Sequence, residues 1–247
     1  MLAGTQAAGL MAQLSGTAAR ALAAYGGAEL WQKARQVTAV ADASGLAFVL
    51  KRRPYFRQAQ LVVDVHRPYA RLTPIGHRPG VVGVLDGGNV RLEDASGRVL
   101  ASRSGARRYF PGGRRLLYWD DLDMAYFANY AFWNYLTLPA LLLNPAIGWT
   151  ELRPGVLQAR FPPQLPTHSS VQTFFFDWQT GLLLQHNYVA EVIGKWARAA
   201  NAVQAHDQQD GLVYASTRHV SPQKPGGAPL GWPALIKIRL HSCRLVF

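Results

Sequence analysis

The sequence holds a single cysteine, Cys243, among 247 residues. One cysteine excludes internal disulfides and any metal site built on several thiolates. Cys243 lies in a strand-like stretch near the C-terminus, where a buried, inert thiol is expected rather than a nucleophile. Reaction signatures are missing as well. There is no HExxH, His-x-His, GxSxG, P-loop or GxGxxG pattern. No metal and no cofactor is therefore expected. Zinc-finger, ribonucleoprotein and helix-turn-helix patterns are also absent, so nucleic acid is not the expected partner. No run reaches the roughly 20 apolar residues that span a bilayer. The apolar stretch 136–143 is too short and contains Pro139. The first residues lack the basic n-region and solid apolar core of a secretory signal. A soluble, cytoplasmic protein is the expectation.

Acidic residues are few: 14, against 26 lysines and arginines, for a net charge of +12. The positive charge is scattered, with local clusters at Lys51-Arg52-Arg53 and at Arg107-Arg108 with Arg114-Arg115. Both fall in expected turns, where solvated charge is the plain reading. Arg107 is also a candidate to hold an anionic head group by bidentate contact.

What the chain does have is aromatic residues, densest in Trp119 to Leu143, WDDLDMAYFANYAFWNYLTLPALLL. Asp120, Asp121 and Asp123 stand where a helix would start, since carboxylates meet the positive end of its dipole. Asp120 and Asp123 have capping-box spacing. Nothing breaks a helix from Leu122 to Thr137, and Pro139 stops it. A helix apolar nearly all round is buried on most sides. It nevertheless carries Tyr126, Asn129, Tyr130, Asn134 and Tyr135, whose polar groups want partners.

On either side of this helix the apolar period is two. Strands are expected at 37–41, 46–50, 60–66, 69–75, 81–85, 90–92 and 99–102, then at 156–161, 171–177, 182–192, 197–206, 212–220 and 234–246. Asp42-Ala43-Ser44-Gly45 and Asp86-Gly87-Gly88-Asn89 read as hairpin turns. Residues 103–118 read as a basic loop, and 144–154 as irregular. A helix is expected over 7–22 and a second from Ala28 to Arg35. The fold class is mainly β (α+β): a large curled antiparallel sheet, or open half-barrel, with a central aromatic helix on its concave face. Residues 1–35 form an N-terminal helical segment packing on the barrel. Residues 36–247 form a single half-barrel domain with the inserted helix 121–137.

The stretch Ala24-Tyr25-Gly26-Gly27-Ala28-Glu29-Leu30-Trp31, running from a helix towards a first strand, resembles an opening seen in relatives of the bacterial lipoprotein carriers LolA and LolB. That resemblance implies an unclosed β-barrel around a helical lid and an apolar interior. The exported carriers have a signal, and LolB bears a lipid on a cysteine; neither feature is read in this sequence.

Two functions fit. The first is a binding module holding a hydrophobic or amphipathic small molecule, lipid-like or polycyclic, beneath the helix. Its candidate ligand-binding residues are Tyr126, Tyr130, Trp133, Asn134, Phe175 and Arg107. The second is a cofactor-independent cyclase, isomerase or hydrolase. There Asp123, His168 and Tyr130 are the candidate acid–base groups, because a carboxylate, an imidazole and a phenol are the side chains such chemistry uses.

Overall fold

The structure is a computed structural model that describes residues 14–110 and 113–247. The start of the helix expected over 7–22, and the side chains of Arg114 and Arg115, lie outside the described residues.

Two short helices come first, α1 (Gly16–Ala24) and α2 (Gly27–Lys33). Gly26 at their junction has φ 99°, a backbone region that favours glycine. Thirteen strands follow: β1 (Gln36–Ser44), β2 (Phe56–Asp64), β3 (Tyr69–Thr73), β4 (Val82–Asp86), β5 (Asn89–Glu93), β6 (Val99–Arg103), β7 (Gly148–Arg153), β8 (Val156–Arg160), β9 (Val171–Phe176), β10 (Leu183–Val189), β11 (Arg198–Gln209), β12 (Leu212–Pro222) and β13 (Ile236–Val246). They make one antiparallel sheet in the order β6-β5-β4-β3-β2-β1-β13-β12-β11-β10-β9-β8-β7. Strands β6 and β7 are its two edges, so the sheet curls without closing. The chain leaves one edge, crosses the sheet's concave face as a helix, and enters the other.

That helix is α5 (Asp121–Leu136); before it come α3 (Leu46–Leu50) and α4 (Gly113–Leu117), and after it one turn, α6 (Leu138–Leu141). Asp120 caps α5 and closes a reciprocal capping box: Asp123 N–H donates to Asp120 Oδ1 at 2.8 Å and Asp120 N–H to Asp123 Oδ2 at 3.1 Å. Arg103, the last residue of β6, bridges both carboxylates at 2.7 and 2.6 Å. The helix ends at Thr137, whose hydroxyl donates to the Trp133 carbonyl at 2.6 Å.

The helix does not sit centrally. One face is pressed onto β2–β5. A Cβ on Gly83 would lie 2.7 Å from Ala125 Cβ and 2.8 Å from Ile75 Cγ1, so this approach needs glycine. Asn129 Nδ2 donates to the Gly83 carbonyl at 3.1 Å, and Trp133 Nε1 to the Asp64 carbonyl at 2.8 Å. The opposite face is left standing off β11–β13. The inward positions beneath it are small, Ala39, Ala41 and Ala43 on β1 and Ala199 on β11, all buried.

Several local expectations need correction. Leu46–Leu50 is helix, not the second strand of a hairpin: Gly45 turns the chain at φ 130°, the first two helical N–H groups donate to the carbonyls of Ala234 and Leu235, and Phe48 packs edge-on against Phe56. A five-residue apolar run has no period of its own to decide between the two. Residues 148–153 are strand β7, not irregular. As an edge strand with mixed exposure, β7 shows no alternation in its sequence. The segment read as a basic loop holds a 3-10 turn at Ala106–Tyr109 and α4. Strands β11 and β12 run on to a two-residue turn, Asp210-Gly211, both with positive φ. The Lys51 cluster is not simply solvated: Lys51 is buried, and the side chain of Arg53 is mostly covered, paired with Asp121.

Candidate functional site

The gap between α5 and the sheet is a cavity of about 590 Å³. Its helical wall is Met124, Phe127, Ala128, Ala131, Phe132 and Tyr135. These positions recur at three- and four-residue intervals, one face of a helix. Small residues at 128 and 131 make the space. The opposite wall comes from Ala43, Tyr188, Ala199, Val220, Ile236 and Ile238. Leu50, Leu116, Leu117 and Trp196 line the cavity and are also exposed, so the mouth opens among them. Polar groups on the wall are few, chiefly Lys51, Arg198, Gln223 and the two tyrosines. Lys51 donates to the Leu116 carbonyl and stands over the Trp119 ring at 5.3 Å. Burial lowers its pKa to about 8, because desolvation penalises the ammonium.

Behind the wall lies a sealed polar network. His168 Nε2 is 2.9 Å from Tyr135 Oη and its Nδ1 is 3.3 Å from Tyr130 Oη. Tyr135 Oη meets Tyr188 Oη at 3.1 Å, and the His168 ring stacks on Tyr188 at 3.8 Å. His186 stacks on Phe174 at 4.1 Å and bonds Gln172 Oε1 at 2.5 Å. Burial, with nearby Arg107, pushes the pKa of His168 down to about 3. Burial, then His168 and Arg218, holds His186 well below its ordinary value. Burial raises the phenols of Tyr130, Tyr135 and Tyr188. At neutral pH both imidazoles and all three phenols are therefore uncharged.

The structure brings Tyr130 and His168 together and leaves Asp123 apart from them. Asp123 is fully buried in the α5 cap, bonded to Arg103. Tyr126 packs against Phe110 and Tyr130 at 5.7 and 5.2 Å. Trp133 is anchored to Asp64, and Asn134 Nδ2 donates to the Pro166 carbonyl at 2.9 Å. Phe175 alternates out of the inward set Gln172, Phe174 and Phe176. Arg107 clamps the loop before β9, donating to the carbonyls of Thr167 and His168 and to Glu191 at 2.6 Å. None of these eight residues, Asp123, His168, Tyr130, Tyr126, Trp133, Asn134, Phe175 or Arg107, lines the cavity. Of the lining residues, Phe127, Ala128 and Ala131 were not singled out by their sequence, and Tyr135 was noted only for its hydroxyl. Small residues do not mark that face in the sequence, because Ala125 stands on the face pressed against Gly83. Cys243 is buried and its thiol pushed up to about 12 by that burial. Among the described residues no group of three histidine, cysteine or acidic side chains is placed to hold a metal ion, and no helix is long and apolar enough to cross a membrane.

Fold and cavity together define an open antiparallel half-barrel with a helix-roofed apolar interior. Comparison with solved structures returns proteins of this architecture. A LolA superfamily protein from Nitrosomonas europaea matches at 10% identity and TM-score 0.49, over 87% of each chain. A DUF1329 family protein from Desulfovibrio piger matches at 13% identity and TM-score 0.49, over 93% of this chain and 91% of that one. A domain from Vibrio parahaemolyticus, provisionally assigned to outer membrane lipoprotein sorting, matches at 12% identity and TM-score 0.49, over 93% and 90%. The likeness is architectural. No family model and no curated protein matches the sequence. The cytoplasmic location expected from the sequence is not upheld by this set, which includes a protein described as an outer membrane lipoprotein-sorting domain.

Proposed function

We propose that the protein binds a hydrophobic or amphipathic small molecule, lipid-like or polycyclic, inside the half-barrel. The observation that carries this reading is the cavity of about 590 Å³ between α5 and β11–β13. Ligand sites are typically concave, mostly apolar and about 300–1,000 Å³, with a few polar groups that fix orientation. Phe127, Phe132, Tyr135 and Ile238 would contact the guest. Tyr126, Tyr130, Trp133, Asn134 and Arg107 would serve by holding that wall in place.

The alternative, a cofactor-independent enzyme, finds less support. A general base must titrate near the working pH and reach substrate. His168 is fully buried with a pKa of about 3, and Asp123 is engaged in the helix cap. Native mass spectrometry and solvent extraction of the purified protein test the binding reading. A co-purifying apolar molecule, or saturable uptake of an environment-sensitive naphthalene sulfonate probe, is expected. A protein that neither carries nor takes up any apolar molecule refutes it.

A further inference from the structure

Arg218 is buried, at 5% exposure, yet no carboxylate is paired with it among the described residues. It points inward from β12, two residues before the cavity-lining Val220. Its guanidinium lies over the Tyr135 ring at 5.0 Å, and Nη1 is buried with no hydrogen-bond partner. On the neighbouring strand β11, the buried Asn201 amide likewise has neither of its polar atoms in hydrogen-bond geometry. An arginine cannot shed its proton to escape burial. A buried cation without an anion is strongly disfavoured.

The guanidinium borders a pocket of about 30 Å³. Since one water needs roughly 10–15 Å³ on this measure, there is room for about two oxygen atoms. The pocket shares Phe132, Tyr135 and Ile238 with the large cavity. An apolar chamber thus abuts a two-oxygen recess whose wall carries an unpaired guanidinium. Of the two cations on the wall of the large cavity, Lys51 is already engaged with the Leu116 carbonyl and Arg198 is exposed to solvent.

We infer that Arg218 receives the carboxylate of an anionic amphiphile whose apolar chain occupies the main cavity. This rests on the binding reading above and narrows its ligand to a monocarboxylate with a long apolar tail. A guanidinium fork matches a carboxylate bidentately.

The test compares a long-chain fatty acid with the fatty alcohol of the same length, by calorimetry at pH 8. The wild type should bind the acid at least about tenfold more tightly than the alcohol, as expected for a buried charge pair. Arg218→Met should abolish that preference and leave the alcohol's affinity nearly unchanged. Melting temperatures supply the second measurement: the acid should stabilise the wild type well beyond Arg218→Met. Apo Arg218→Met should melt no lower than the apo wild type, because it removes an unpaired buried charge. Should Arg218→Met fail to fold, Arg218→Lys must keep the preference in weakened form. An equal affinity for acid and alcohol, or a preference that survives in Arg218→Met, overturns the assignment and leaves the cavity reading standing. Failure of both ligands to bind overturns the two together.

Discussion

Replacing Ala131 by phenylalanine asks directly whether the space beneath α5 is open. Ala131 is buried on the cavity face of the helix, flanked by Phe127, Ala128 and Tyr135. In a filled core the larger ring would collide with its neighbours, and such overpacking costs typically 1–3 kcal/mol. Here the ring would enter a chamber of about 590 Å³. Fully burying a phenylalanine side chain is worth about 1.5–3 kcal/mol. Only the near wall touches it, so roughly half of that is realised, or about +1 kcal/mol. For a chain of this size that corresponds to a rise of about 2–4 °C in Tm. The same substitution takes the volume a guest would use, and probe affinity should fall at least about tenfold, the equivalent of 1.4 kcal/mol. Urea unfolding and probe titration on the same preparations read both effects. A destabilised variant with unchanged probe affinity would refute the reasoning, since it would mean a packed interior and a binding surface elsewhere.

Asp123→Asn should cost about 2 kcal/mol, because it removes one of the two carboxylates that Arg103 bridges, and should leave probe affinity unchanged; a large affinity loss at unaltered stability would instead place Asp123 in the site. Gly83→Ala should destabilise by about 1–3 kcal/mol, since its Cβ would meet Ala125 at 2.7 Å; a neutral result in urea melts would show that the helix rides loosely on β4. Stability should also depend on pH in the range 5–6.5. His168 and His186 have folded pKa values below their ordinary value, so the unfolded chain takes up protons that the folded chain refuses. Their contribution is complete above about pH 6.5 and is lost as pH falls towards the folded values, roughly 2 kcal/mol for His168 by pH 5, with His186 acting in the same direction. Urea midpoints that stay flat between pH 7.5 and 5 would show that these imidazoles are hydrated.

Much of the frame was legible because its signals are local. Alternation gave most of the strands, Asp86-Gly87-Gly88-Asn89 turns between β4 and β5 as expected, and Asp120 and Asp123 close the capping box their spacing implied. What stayed hidden depends on contacts far along the chain. Lys51 reads as turn charge until the carbonyl of Leu116, 65 residues later, meets it. Arg107 reads as loop charge until the Thr167 and His168 carbonyls meet it, 60 and 61 residues on. The cavity face of α5 was invisible because that helix is apolar on every side, so its sequence cannot say which face is pressed down and which stands clear. Tyr130 and His168 were chosen for their chemistry, and they do lie 3.3 Å apart. Their burial behind the wall follows from which strand neighbours which, a property of the whole sheet.

Of the twelve strand adjacencies, eleven join consecutive strands; the exception is β1 with β13, whose register opposes Gln36 to Val246. Each meander on either side of that seam can zip up from its own short turns, but the seam must bring together residues at opposite ends of the chain. Closing so long a loop is entropically late. Until it closes, Ala43 on one half-sheet does not face Ile236 and Ile238 on the other, and the chamber does not exist. A guest added to the refolding chain should therefore leave the early, hairpin-forming phase unchanged and slow only the final reopening of the seam.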